Sequence, residues 1–240
     1  MESFSHQLQK FDPGIVWLDA GDQVSAMNGV AARVLGVNPG EAIGREITQF
    51  HPIKSREKVR WLLNSGATCP MDSPPPMTML INIPDRVLMI KVSKMLGTEG
   101  GGAGTCMVFY DLTSVTTEPA GPEEEGMWPR RMFKIPVYRH SRLILLDLGE
   151  VLRLESDGHY TSIHTMDGHY LCNLSLSDLE ARLDPQRFLR VHRRHMVNID
   201  HAREFWKEGN RARLYLDGYR DPVPVSRSKE RELREVIGME

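Results

Sequence analysis

Two groups of side chains in this sequence have types and spacings that could do chemistry. The first runs from residue 51 to residue 79. His51 stands in QFHPIKSREK, Cys69 is followed directly by Pro70, and Met77 and Met79 follow the run SPPP. An imidazole, a thiolate and thioethers are the donor types that hold a haem iron. The second group is cationic. Between residues 187 and 213, eight Lys and Arg stand against three Asp and Glu, with His192, His195 and His201 among them. Clustered Arg and Lys suit an anionic partner. Each residue also has a plainer reading. A His before a helix serves as a cap or surface residue, Met on strands fills cores, and an Arg on a strand lies on a solvated face.

The elements that must position these groups come from a chain of 240 residues, which suits two modest domains. Hydrophobic residues make up 40% and charged residues 26%, enough apolar material for two cores. No apolar run approaches the roughly 18–20 residues that cross a bilayer. The opening MESFSHQLQK lacks the basic and apolar regions of a secretion signal, so a cytoplasmic location is expected. The three cysteines, Cys69, Cys106 and Cys172, form no C-x-x-C pair, which argues against a disulfide framework and a structural zinc site. Cys106 and Cys172 fall in apolar strand patterns and are expected in cores. Charge divides unevenly. Residues 1–130 carry 11 Lys and Arg against 15 Asp and Glu, net −4; residues 131–240 carry 19 against 17, net +2. There is no P-loop, G-x-S-x-G, H-E-x-x-H or phosphoacceptor module, so no enzyme is expected.

The clearest seam is TTEPAGPEEEGMWPR (Thr116–Arg130), with linker composition. GTEGGGAGT (Gly97–Thr105) reads as a loop, and the prolines of CPMDSPPPM (Cys69–Met77) exclude helix and central strand. Ahead of the seam, Ile15–Asp19 and Val24–Ala26 read as a hairpin and Asn28–Leu35 as a helix ended by Gly36. Ser55–Leu63 reads as a helix capped by Ser55; Met79–Ile83, Val87–Met95 and Cys106–Leu112 read as strands. Behind it, Ile135–Tyr138, Arg142–Asp147, Val151–Glu155, Tyr160–Thr165 and His169–Asn173 read as strands. Ser175–Leu183 reads as an amphipathic helix on Leu176, Leu179 and Leu183. Leu189–Asn198, Arg213–Leu216 and Val223–Ser226 read as extended, and Ser228–Ile237 as a charged final helix. The expected class is α+β, an antiparallel sheet with flanking helices followed by a mainly-β domain.

The first half, with GIVWLDAGDQVSAMNGVAARVLG and the ending MVFYDLTSVT, resembles a PAS domain over roughly residues 9–117. In the second half, ESDGHY (155–160), NLSLSDLE (173–180), FLRVHRRHMVN (188–198) and PVSR (224–227) occur in an order that resembles a LytTR DNA-binding domain over residues 131–240, after a linker at 118–130. LytTR domains read double-stranded DNA with loops and strand ends in successive major grooves. The resemblance implies base reading by His159 and Tyr160, by the His192–Arg194 segment with Arg193 best placed, and by Arg227. Arg can bond guanine O6 and N7 together. Arg190, Arg194, Lys207 and Lys229 suit phosphates.

HPIKSREKVRWLL, the Cys-Pro pair, SPPPMTMLINIPDRVLMIKVS and GTCMVFYD together resemble the RcoM family nearly end to end. Its members join a haem-binding PAS domain to LytTR in one chain and respond to carbon monoxide. The resemblance implies haem b with His51 as the constant axial ligand. It implies Cys69 as the thiolate on ferric iron and Met79 as the thioether that replaces it on reduction, to be displaced by CO. A neighbouring position that is Met in some relatives is Leu80 here, and Met77 remains a decoy to be excluded. It also implies promoter repeats as targets, a homodimer, and activation of CO-oxidation genes. The alternatives from the residues themselves are a PAS–LytTR regulator sensing redox state, oxygen or another small ligand.

Overall fold

The computed structural model describes residues 12–51, 53–68, 77–82, 85–96, 102–119, 129–139, 142–157 and 160–238. Cys69 and His159 lie outside the described residues, as does most of the Thr116–Arg130 seam. The chain divides into two compact units, residues 1–113 and 114–240.

In the first unit, β1 (Gly14–Leu18) and β2 (Val24–Met27) form a hairpin, followed by α1 (Gly29–Leu35) and a single turn, α2 (Pro39–Ala42). A long helix, α3 (Ile53–Thr68), then leads to β3 (Met77–Asn82), β4 (Asp85–Leu96) and β5 (Gly102–Asp111). The antiparallel sheet has the order β2-β1-β5-β4-β3, the PAS arrangement. Asn28 fastens α1 to the sheet. Its Oδ1 accepts from Ala31 N (2.9 Å) and Ile15 N (3.0 Å), and its Nδ2 donates to Pro13 O (2.8 Å). That is an N-cap that also ties two chain segments together. Val16, Leu18, Leu88, Ile90, Val92, Met107 and Phe109 from the sheet pack with Val59, Leu62 and Leu63 of α3.

Three expectations fail here. Helix α3 starts before Ser55, which is therefore its third residue and not its cap, and it continues beyond Leu63. Packing of Val59, Leu62 and Leu63 carries the helix past weak formers. The glycine-rich stretch read as loop enters β5 at Gly102, because it pairs with both β1 and β4. Gly104 has φ +126°, and a Cβ there would come within 2.1 Å of the Leu18 carbonyl oxygen, so only glycine allows this approach. Cys106 is half-buried, unlike Cys172, because it alternates with core-facing Met107. Asp111 and Thr113 tie off the end of β5. Asp111 Oδ1 accepts from Thr113 N (3.0 Å) and Thr113 Oγ1 (2.5 Å), Asp111 pairs with Arg86, and Val87 N donates to Thr113 Oγ1 (3.0 Å).

The boundary between the units falls after the first residue of α4 (Thr113–Thr116), and in the second unit Thr117 bridges to Met132. Then come β6 (Lys134–Arg139), β7 (Arg142–Asp147), β8 (Val151–Asp157), β9 (Tyr160–Thr165) and β10 (Gly168–Cys172). The short helix α5 (Leu176–Glu180) carries a capping box between Ser175 and Asp178. Strands β11 (Phe188–His192) and β12 (His195–Asn198) complete a seven-stranded sheet of order β11-β12-β8-β9-β10-β6-β7. Strands β13 (Ala202–Glu208), β14 (Arg211–Leu216) and β15 (Val223–Val225) form a second sheet, and α6 (Arg227–Val236) ends the unit. Leu152, Val191 and Val197 of the first sheet share a core with Leu214, Val223, Val225 and Leu233 of α6. The run read as one extended segment, Leu189–Asn198, is two antiparallel strands with Arg193 and Arg194 as the turn. Among the described residues no helix is long and apolar enough to cross a membrane.

Candidate metal centre and nucleic-acid interface

His51 follows a single 3₁₀ turn, Ile47–Phe50, and closes it by donating its backbone N–H to Thr48 O (3.1 Å). The residue is 8% exposed, and its Nδ1 lies 2.9 Å from Ile47 O. A carbonyl only accepts, so Nδ1 carries the proton and Nε2 keeps its in-plane lone pair. Burial pulls the imidazole below its ordinary pKa; the Ile47 hydrogen bond opposes this, and the Arg56 charge adds to it. The result is a neutral, oriented imidazole with a free lone pair. A backbone carbonyl on the far ring nitrogen is the usual support of a metal-ligating histidine. Arg56 also donates Nε–H to His51 O (3.1 Å), fixing the backbone at the start of α3.

Met79 lies on β3, an edge strand, in register with Leu88; Met77 is in register with Ile90 and Leu80 with Val87. Leu88 and Ile90 belong to the core that α3 covers. Positions 77 and 79 thus fall opposite core residues, on an edge strand paired on one side only. Cys69 lies outside the described residues.

The cationic residues gather through backbone ties between distant stretches. Ser156 N donates to Arg194 O (2.8 Å), which joins the end of β8 to the β11–β12 turn. Ser226 donates to Val191 O through its N (2.8 Å) and its Oγ (3.1 Å), which places the start of α6, and so Arg227, beside β11. The ESDGHY, HRR and PVSR stretches are thereby brought to one region. Tyr160, first residue of β9, is half-buried; His159 lies outside the described residues.

Within this region the cations differ. Arg193 and Arg227 are exposed, and among the described residues their side chains have no ion pair or hydrogen bond. The others are engaged. Arg190 Nη1 pairs with Glu180 (2.5 Å), and its Nη2 donates to Arg193 O (2.8 Å). Arg194 donates Nε–H to Ser156 O (3.1 Å) and lies 3.6 Å from Glu155. Lys207 pairs with Glu230 and Lys229 with Glu232, both at 2.6 Å. His192 Nδ1 accepts from Arg194 N (3.2 Å), so its proton sits on Nε2, and its ring lies 5.3 Å from that of His195. Partial burial, then Arg193 and Arg194, hold its pKa below the ordinary value.

Behind the turn lies a half-buried network that the sequence did not reveal. Arg153, whose side chain is 8% exposed, donates to Glu155 (2.6 Å) and stacks over Tyr219 at 4.4 Å. His164 Nε2 is 3.7 Å from Glu155. His164 and His195 are both pushed down to about 4, chiefly by burial. Glu155 and Glu180 sit inside the motif stretches, but a search for cations passes over acids.

Residues 141–238 match the LytTr DNA-binding domain, a span that contains every cation named at the nucleic-acid interface. Over 99% of its length the chain is 50% identical to "Heme-containing CO-sensing transcriptional regulator RcoM 1" of Paraburkholderia xenovorans (strain LB400), covering 94% of that protein. The chain belongs to the RcoM family. It is likewise 50% identical over 99% of its length to RcoM 2 of the same strain, covering 94% of that relative. With the CO-responsive transcriptional regulator RcoM of Rhodospirillum rubrum, identity is 32% over 100% of both chains. Membership in RcoM therefore rests on alignment through both units, and the family's named members are transcriptional regulators.

Proposed function

We propose that this chain is a haem-dependent, CO-sensing transcription regulator of a single component. Its sensor spans residues 9–117, with a linker at 118–130, and its DNA-binding domain spans residues 131–240. The observation that carries the reading is His51: buried, neutral, and oriented by the Ile47 carbonyl so that Nε2 can bind a metal. Together with 50% identity to a haem-containing CO sensor, it favours haem b over another ligand. Bound haem would supply an iron whose ferrous form takes CO.

This chain's own residues set the terms. His51 would hold the iron through its imidazole nitrogen. Cys69 would offer an anionic thiolate, favoured by the more positive ferric state, and Met79 a neutral thioether suited to the ferrous state. On the DNA side, Tyr160, His159, His192, Arg193 and Arg227 read bases, while Arg194, Lys207 and Lys229 meet phosphates. His192 can donate from Nε2 because Nδ1 is occupied as an acceptor. The reading includes a cytoplasmic homodimer on paired promoter repeats, activation of transcription, and no catalytic reaction. An absorption spectrum of the purified protein, as isolated, after dithionite and after CO, tests the sensor. The expected result is a Soret band that shifts at both steps, with the first shift lost in Cys69→Ser. A protein without a Soret band after haem is supplied would overturn it.

A further inference from the structure

The turn that presents Arg193 is two residues long and carries neither Gly, Pro nor Asn, the usual residues for holding a tight turn. Something else must hold it, and the structure supplies arginine–acid contacts. Arg190, on β11, reaches across with Nη2 to the carbonyl of Arg193 itself (2.8 Å). Its Nη1 is held by Glu180 (2.5 Å) and by Ser177 Oγ (3.2 Å). Both partners sit on α5, a helix fixed at its start by the capping box, whose Leu176 and Leu179 are buried in the core. The guanidinium thus spans from a rigid helix to the backbone of the residue proposed to read a base. Its planar fork suits this bridging, which a lysine could not reproduce.

The placement of Glu180 is unfavourable for DNA binding taken alone. It puts a negative charge, 42% exposed, beside a surface meant for a polyanion. A purely electrostatic surface would do better with a neutral residue there. The arrangement makes sense if the carboxylate holds a guanidinium and thereby fixes the direction of Arg193.

We infer that Glu180 and Ser177, acting through Arg190, form a positioning device that sets the orientation of Arg193 for sequence-specific DNA reading. Arg190 is then a brace inside the protein and not a phosphate contact. The inference rests on the reading of Arg193 as a base-contacting residue, and the test separates the two. Geometry and electrostatics also predict opposite signs. Removing the Glu180 charge should tighten binding to any DNA if only charge matters. It should weaken binding to the specific site if Glu180 positions Arg193.

The test uses the full-length, haem-loaded protein under CO and an operator duplex selected by wild type from a random-sequence pool. Affinities are measured for that duplex, for its complete set of single-base variants, and for a scrambled duplex, across a range of salt. Glu180→Gln is expected to lose about tenfold in operator affinity, with scrambled-duplex affinity unchanged or tighter. The lost discrimination should fall at the same base pair that Arg193→Ala affects, and the double variant should be no worse than Arg193→Ala alone. Arg190→Lys keeps the charge and provides a second variant; it should lose the same discrimination, whereas at a mere phosphate contact lysine would keep both operator affinity and discrimination. Operator affinity equal to or above wild type in Glu180→Gln, with Arg193→Ala impaired, would overturn the positioning role and leave the base-reading role in place. Unchanged operator affinity in Arg193→Ala would overturn the base-reading role, and the positioning role with it.

Discussion

Two histidines, one in each unit, show how one side chain is set to opposite uses by its backbone partner. His51 donates from Nδ1 to a carbonyl, is buried, and so offers a lone pair at Nε2. His192 accepts at Nδ1 from the N–H of Arg194, is partly exposed, and so offers a proton at Nε2. The first is the configuration of a metal ligand; the second is that of a donor to a base edge or phosphate. In both, a neighbouring backbone group fixes the tautomer, and burial decides how dry the free nitrogen is. The contrast extends to the surroundings. His51 is buried and burial lowers its pKa, while the β11–β12 turn is flanked by the Arg190–Glu180 and Arg194–Glu155 ion pairs.

The contrast breaks most visibly at His51 itself. His51→Ala should reduce haem retention by more than the roughly 10–100-fold that loss of an outer-shell partner costs. Added imidazole should restore the Soret band. His192→Ala should leave the spectrum unchanged and weaken only operator binding. Haem titration followed by absorbance checks both, and a normal spectrum in His51→Ala would remove it from the ligand set.

The bracing acids come next. Glu155→Gln leaves Arg153 buried with its partner weakened. Since Glu155 is itself 25% exposed, the loss should lie near the lower end of the roughly 3–5 kcal/mol seen when buried pairs are broken. Denaturant unfolding monitored by circular dichroism measures it. A loss under about 0.5 kcal/mol would mean that the pair is solvated and the network is not structural.

Arg193→Ala and Arg227→Ala should each lose about 1–3 kcal/mol of operator affinity. Unspecific DNA affinity should fall only slightly, and the melting temperature should hold, because neither side chain has a partner among the described residues. Fluorescence anisotropy with an operator and a scrambled duplex separates these effects.

The remaining effect is that of pH. His164 and His195 have folded pKa values near 4, below the ordinary 6.5 that they regain on unfolding. The unfolded chain therefore binds more protons between those values, and stability present above pH 6.5 declines as pH falls toward 4. His51, also lowered, adds to the same trend in the first unit. Thermal melts from pH 7 to 4.5 should show this decline, and it should be shallower in His164→Gln. A slope that His164→Gln leaves unchanged would assign the effect to other groups.

Much of this architecture was legible from local pattern. The β1–β2 hairpin, Asn28 ahead of its helix, and the Leu176–Leu179 face all follow from period and capping chemistry, although that helix ends at Glu180, short of Leu183. What escaped depends on distant partners. The β11–β12 turn has no turn residue in it, so only the bonds from Arg190 and Ser156 reveal it. Strand β13, AREFWKE, sets two adjacent aromatics between charged pairs, so it shows no period-2 alternation and does not read as a strand. At the candidate sites, residue types were legible but their states were not. Nothing near His51 in sequence announces a carbonyl-fixed tautomer. The pairing of Lys207 with Glu230, 23 residues apart, cannot be read from charge counts.

The central claim is that events at the sensor control the reading of DNA. The most direct measurement is the affinity of the reduced, haem-loaded protein for its selected operator with and without saturating CO. The account predicts a CO-dependent change in operator affinity that disappears in His51→Ala. Identical affinity with and without CO in the wild-type protein would contradict it.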